Sequence, residues 1–158
     1  MEINVLIDEG LEGCLETSWL QNVAEKVVVA QGFDSMVELG LFIVGQERIR
    51  QLNLSYLGED RPTDVLAFSM LPEPSRENLV PFVAPPDGVQ HLGEVIISYP
   101  QAVIQSEEHK HSVKREVAIL IIHGVLHLLG YDHDKPELER EMRTREAEIL
   151  SYIEGELK

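Results

Sequence analysis

The chain has 158 residues and one cysteine, Cys14, so an internal disulfide is excluded and one domain over residues 1–158 with a single core is expected. Thirteen basic side chains against twenty-eight acidic ones leave a net charge of −15, which opposes nonspecific attraction to a polyanion. No N-terminal run has the basic start and apolar middle of a signal peptide, and the longest apolar stretch, Val117–Leu129, is too short to span a bilayer and is broken by His123 and His127; a cytoplasmic location with no membrane role is expected.

Met1, Ile3, Val5 and Ile7 alternate with Glu2, Asn4 and Asp8, the period of a strand with one buried face. Ser18 is placed to cap a helix in which Leu20, Val23, Ala24, Val27 and Val28 form an apolar stripe, and Gly32 is placed to stop it. Val37, Leu39, Leu41 and Ile43 alternate again and predict a second strand ending near Gly45. A short helix through Ile49 and Leu52 follows and closes near Gly58. Trp19 belongs with the core, not with a nucleobase platform.

Residues 63–70 and 92–98 are rich in β-formers, and the segment 71–90 between them, with five prolines, must be a loop. That loop either overhangs a substrate groove or is a tolerated surface insertion. Pro100 opens a helix through Val103 and Ile104, and Ser112 caps the next, which runs to Leu129. In the last helix, Asp134-Lys135-Pro136-Glu137 has the form of a capping box, and Glu139 with Arg143 and Glu141 with Arg145 have favourable i,i+4 spacing, so its charges read as a solvated face. The order predicts an α/β domain: a mixed four-stranded sheet covered by about five helices, with a metal site at the end of a buried helix.

That site is His123-Gly124-Val125-Leu126-His127-Leu128-Leu129-Gly130-Tyr131-Asp132-His133. His123 and His127 lie one turn apart on one helix face and can offer two nitrogens to one ion. Gly130 can adopt the left-handed conformation of a helix end, so the chain reverses and brings His133 back as a third ligand. A bare His-x-x-x-His pair also describes two hydrogen-bonded core histidines; the added register of Gly130, Asp132 and His133 favours the metal. Three imidazoles leave a coordination position open, the catalytic form of a zinc site, although nickel, copper and iron suit the same set. The spacing follows the zinc-protease pattern H-E-x-x-H-x-x-G-x-x-H, but Gly124 stands where the protease carries its glutamate base, which disfavours peptidase chemistry. Asp132 either orients a ligand imidazole, accepts a proton, or caps its own turn.

Together with Pro62-Thr63-Asp64-Val65-Leu66 inside YLGEDRPTDVLAF and Leu92-Gly93-Glu94 inside LGEVIIS, this segment resembles the bacterial YbeY family of metal-dependent single-strand endoribonucleases, from about residue 40 to the end. The resemblance implies an α/β hydrolase acting in maturation of the small-subunit rRNA 3′ end and in ribosome quality control. It also implies one zinc ion, single-stranded RNA as substrate and a ribosomal particle or ribosomal protein as partner. Where the family motif usually reads Tyr-Arg-Gly, this chain reads Tyr56-Leu57-Gly58, so the arginine regarded as catalytically important is absent at its matching position. The family's serine in its V-L-S-F segment is replaced by Ala67.

Arg61, four residues after Leu57, is the candidate to reach the same phosphate. Thr63 and Asp64 are candidates to border the substrate groove, although an aspartate before a strand is also ordinary turn chemistry. Arg48, Arg50, Arg61, Lys110, Lys114 and Arg115 are candidates for local RNA contact, although each alone is more often a solvated surface charge. A second reading, a noncatalytic assembly factor that uses zinc to hold its C-terminal third together and binds a ribosomal protein through its acidic surface, is favoured by Leu57 and by the net charge.

Overall fold

The computed structural model describes residues 1–33, 36–70, 89–131 and 136–157. In chain order these form β1 (Glu2–Ile7), α1 (Thr17–Ala30), β2 (Val37–Val44), α2 (Gln46–Leu57), β3 (Val65–Ser69), β4 (Gln90–Ser98), α3 (Tyr99–Glu108), α4 (Val113–Leu128) and α5 (Pro136–Tyr152), with a 3-10 turn at Glu154–Leu157. The crossover through α1 lays β2 parallel to β1, with Ile3 beside Leu39 and Val5 beside Leu41. β4 adds parallel to β2, and β3 closes the edge antiparallel to β4, giving the order β1-β2-β4-β3. This is the mixed four-stranded sheet with five helices that the order of elements predicts.

Side chains alternate across a strand, so each strand serves two faces. Leu39, Leu41, Ile43, Val95 and Ile97 enter the main core with α1 and α4, while Val44, Leu66 and Ile96 turn to the other face and meet Ile49 of α2. Trp19 is buried in the main core as expected, its indole N–H donating to the Glu156 carbonyl at 2.7 Å. α4 buries Val117, Ala118, Ile121, Ile122, Val125 and Leu126, which accounts for its nearly continuous apolar run.

Several ends follow the sequence closely. The Ser112 hydroxyl accepts from the Arg115 N–H at 3.1 Å and caps α4. At the other end Gly130 takes φ 97°, with its N–H on the His127 carbonyl and the Tyr131 N–H on the Leu126 carbonyl, both at 3.1 Å. These two bonds form a Schellman closure, so α4 ends where the glycine predicted it would. Gly58 ends α2 at φ 73°.

Three expectations need correction. α1 begins at Thr17 with Glu16 as its cap, so Ser18 is inside the first turn and not at the boundary. Gln90, expected in the proline-rich loop, starts β4 and pairs with Val37. Arg145 does not pair with Glu141: its guanidinium donates to the Ala30 carbonyl at 2.5 Å and to Gln31 Oε1 at 3.3 Å and pairs with Glu148 at 2.7 Å. The carbonyls at the end of α1 lack intrahelical partners and carry the negative end of the helix dipole, so a tertiary contact outcompetes the local pair. Glu139 and Arg143 do pair, at 2.6 Å. Residues 71–88 of the proline-rich loop, and Asp134 and Lys135 of the capping box, lie outside the described residues.

Candidate active site

α4 lies across the sheet on β3 and β4, and Gly124 permits that approach: a Cβ built there would meet Val95 Cγ1 at 2.6 Å. With the glycine side of α4 seated on β4, His123 and His127 come to the edge of the sheet. Their Nε2 atoms stand 3.1 Å apart and their ring centroids 4.5 Å apart. Tetrahedral zinc with bonds of ~2.0–2.1 Å places two imidazole nitrogens roughly 3.3 Å from each other. The pair therefore fits an ion shared between the two Nε2 atoms. His123 Nδ1 meets Glu146 Oε1 of α5 at 3.1 Å. A carboxylate on the far nitrogen selects the tautomer that leaves Nε2 as an acceptor.

Sequence reasoning missed Glu146, which is 23 residues from His123 and reaches it only because α5 packs along α4. The available signal was general: an imidazole ligand needs a partner for its other nitrogen, and α5 is rich in glutamate. His133 and Asp132 lie outside the described residues.

Beside the histidine pair is a pocket of about 270 Å³ walled by Leu57, by Val65 to Phe68 of β3, and by His123, Gly124 and His127. It lies just below the usual ~300–1,000 Å³ of small-molecule sites. Leu57, the residue at the family's arginine position, is therefore a wall of this pocket. Tyr56 stacks obliquely on Phe68 with centroids 5.0 Å apart. Ser69 ties β3 to the end of α4 through a bond from its hydroxyl to the Leu128 carbonyl at 3.1 Å.

Gly93, from the second motif, has φ 127° opposite a register shift at Glu38/Leu39 of β2. A Cβ on it would stand 2.1 Å from the Phe68 carbonyl oxygen and 3.1 Å from Leu128 Cδ2. Only glycine lets β3, β4 and α4 meet so closely at the pocket.

The remaining candidates sit elsewhere. Arg61 is 72% exposed in its side chain and pairs with Glu59 at 2.9 Å, outside the lining of the histidine pocket. Asp64 Oδ1 accepts from the Val65 N–H at 2.8 Å and from Thr63 Oγ1 at 3.3 Å, and its Oδ2 accepts from Gln105 at 3.3 Å. These bonds secure the start of β3 to α3.

Five of the six expected local cations are engaged, Arg61 as described and four others. Arg48 faces Asp8 at 3.9 Å, Arg50 holds Glu47 at 2.5 Å and also Asp60, Arg115 holds Glu154 at 2.6 Å, and Lys114 lies 5.5 Å over the Trp19 ring. The Arg50 hydrogen bond, helped by its charge, holds the Glu47 carboxyl below its ordinary range.

A separate group, His109, His111 and Glu116, also has ligand atoms within 4.8 Å of one another and could hold a metal ion. Among the described residues, no helix is long and apolar enough to cross a membrane.

A mixed α/β sheet with a histidine pair at metal-ligand spacing beside a pocket at its edge defines the class: an α/β protein whose pocket side chains could hold a metal ion. Comparison with known proteins narrows it. The model of the family described as "Endoribonuclease YbeY" matches residues 13–154. A protein named Endoribonuclease YbeY from Dehalococcoides mccartyi is 49% identical over 97% of this chain and 90% of its own length. Another of that name, from Brevibacillus brevis, is 42% identical over 93% of this chain and 89% of its own. The solution structure of TM1509 from Thermotoga maritima has a similar fold, with a TM-score of 0.57 and 24% identity over 97% of this chain and 92% of that one.

The chain belongs to the endoribonuclease YbeY family, hydrolases whose name implies an RNA substrate. The likeness starts well before residue 40, where the motifs led it to be placed. α1 lies within the matched residues although it carries none of the three motifs.

Proposed function

We propose that this protein hydrolyses single-stranded RNA with one divalent ion, zinc or a related transition metal, held by His123, His127 and His133, in maturation of the small-subunit rRNA 3′ end and ribosome quality control in the cytoplasm. The observation that carries this reading is the 3.1 Å approach of the two Nε2 atoms at the mouth of the β3–α4 pocket. Bound there, such an ion would supply Lewis acidity toward a phosphoryl oxygen and an acidified water.

The chain's own groups have distinct tasks in this proposal. Glu146 fixes the His123 ring and its tautomer. Asp132 either orients a ligand ring or accepts a proton. Thr63 and Asp64 act on the substrate side by holding the start of β3, whose residues wall the pocket. Arg61 would meet a phosphate only by releasing Glu59, a surface pair weak enough to exchange. The apolar wall at Leu57 and Phe68 suits the face of a base or ribose better than a phosphate.

Single-turnover cleavage of single-stranded RNA by metal-loaded protein, with His127→Ala as control, is the test. Cleavage lost in the variant supports the reading; wild-type protein that carries metal and leaves RNA intact refutes it. The second reading, a noncatalytic assembly factor, draws support from Leu57 in the pocket wall and from the carboxylates that engage Arg48, Arg50, Arg61 and Arg115. Binding to ribosomal particles without cleavage would favour it.

A further inference from the structure

Away from the pocket, three side chains meet at the turn between α3 and α4. His109 caps the end of α3, His111 follows two residues later, and Glu116 lies in the first turn of α4. Both rings converge on one oxygen, Glu116 Oε2, with His109 Nδ1 at 3.2 Å and His111 Nε2 at 2.5 Å. The Glu116 side chain is only 3% exposed and that of His111 20%. Between the histidines, Lys110 holds φ 56°, a left-handed conformation rare for lysine, and this turns both imidazoles toward the same carboxylate.

A buried carboxylate needs compensating charge or several hydrogen bonds. Two neutral imidazoles give it one N–H each; a cation shared by all three groups compensates the charge directly. We propose that His109, His111 and Glu116 form a second, structural metal site that staples the end of α3 to the first turn of α4. Two imidazoles with one carboxylate select a borderline transition ion such as zinc or cobalt over magnesium or calcium, which take oxygen ligands.

The spacing needs little adjustment. Bonds of ~2.0–2.2 Å set neighbouring ligand atoms a little over 3 Å apart. The His109 contact is already there, and His111, in a turn, must move outward by less than an ångström. Glu116 and His123 are seven residues apart on α4, about 10 Å along its axis. Paired metals acting on one phosphate stand ~3.5–4 Å apart. The second ion therefore holds structure and takes no part in chemistry at the first.

The test starts from the double variant His123→Ala/His127→Ala, which removes two of the three proposed catalytic ligands. Equilibrium dialysis against zinc or cobalt should leave about one ion per chain on it, against two on the wild type, and zinc should still raise its Tm. Adding Glu116→Gln, or separately the exposed His109→Ala, should remove that ion and cancel the Tm rise while circular dichroism stays unchanged.

A double variant that binds no more ion than the one carrying Glu116→Gln, or whose Tm ignores zinc, overturns the proposal. Failure of the three-histidine reading looks different: wild type and double variant would then carry the same single ion.

Discussion

Gly124 and Val95 are in contact that no side chain at 124 can share, since a Cβ there would lie 2.6 Å from Val95 Cγ1 and 3.0 Å from Cγ2. Val95 is fully buried on β4 and has no flexible end to move aside. Gly124→Ala should therefore destabilise the protein despite the ~1 kcal/mol that alanine gains in a helix interior. Overpacking costs typically ~1–3 kcal/mol, so a net loss of about 1–2 kcal/mol is expected in urea unfolding. Val95→Ala on top of it should restore part of the loss, and an alanine variant more stable than wild type would contradict the packing argument.

The same contact bears on peptidase chemistry. Gly124→Glu completes the protease-like motif, yet the new side chain is directed at β4, where no scissile peptide can lie. We expect poorer folding and no metal-dependent cleavage of unstructured peptides. Appearance of such cleavage would show that position 124 can face the ion.

Gly93→Ala should be worse tolerated than Gly124→Ala. It combines a left-handed φ with a Cβ 2.1 Å from a backbone oxygen, which cannot rotate away. Strain and overpacking together predict a loss of roughly 2–4 kcal/mol. Because β3 would be displaced, RNA cleavage by the folded fraction should fall as well, measured as activity per folded molecule.

Removal of the Glu146 carboxylate should weaken metal binding at the histidine pair. Loss of such an outer partner typically costs ~10–100-fold in affinity, so Glu146→Ala should raise the zinc Kd within that range and Glu146→Gln less. His127→Ala should abolish binding at this site altogether. Unchanged affinity in Glu146→Ala, read by competition with a chromophoric chelator, would remove Glu146 from the site.

Leu57→Arg places a guanidinium in the wall of the pocket. A preorganised donor aimed at developing charge is worth on the order of a hundredfold in rate, and the gain should appear in kcat more than in KM. Arg61→Ala is the companion measurement. If Arg61 already serves the phosphate, its loss abolishes cleavage and Leu57→Arg adds little; if neither change alters cleavage, no guanidinium from this loop takes part.

Much of this molecule is written in short-range pattern. Period-two alternation at residues 1–8 and 37–43, caps at Ser112 and Gly130, and the four-residue spacing of His123 and His127 each depend on neighbours a turn or a pleat away, so they survive reading one residue at a time. What the sequence by itself determined was accordingly the set of elements, the mixed sheet and the pair of metal-spaced imidazoles.

Tertiary structure decided the rest, because it depends on groups that no local period relates. Glu146 finds His123 across two packed helices, Arg145 leaves its helical neighbour for the carbonyls at the end of α1, and Gly93 and Gly124 matter for what approaches them and not for their own turns. His109, His111 and Glu116 are close in sequence, yet their convergence needed the left-handed turn at Lys110 and the burial of one carboxylate, neither of which a residue pattern records.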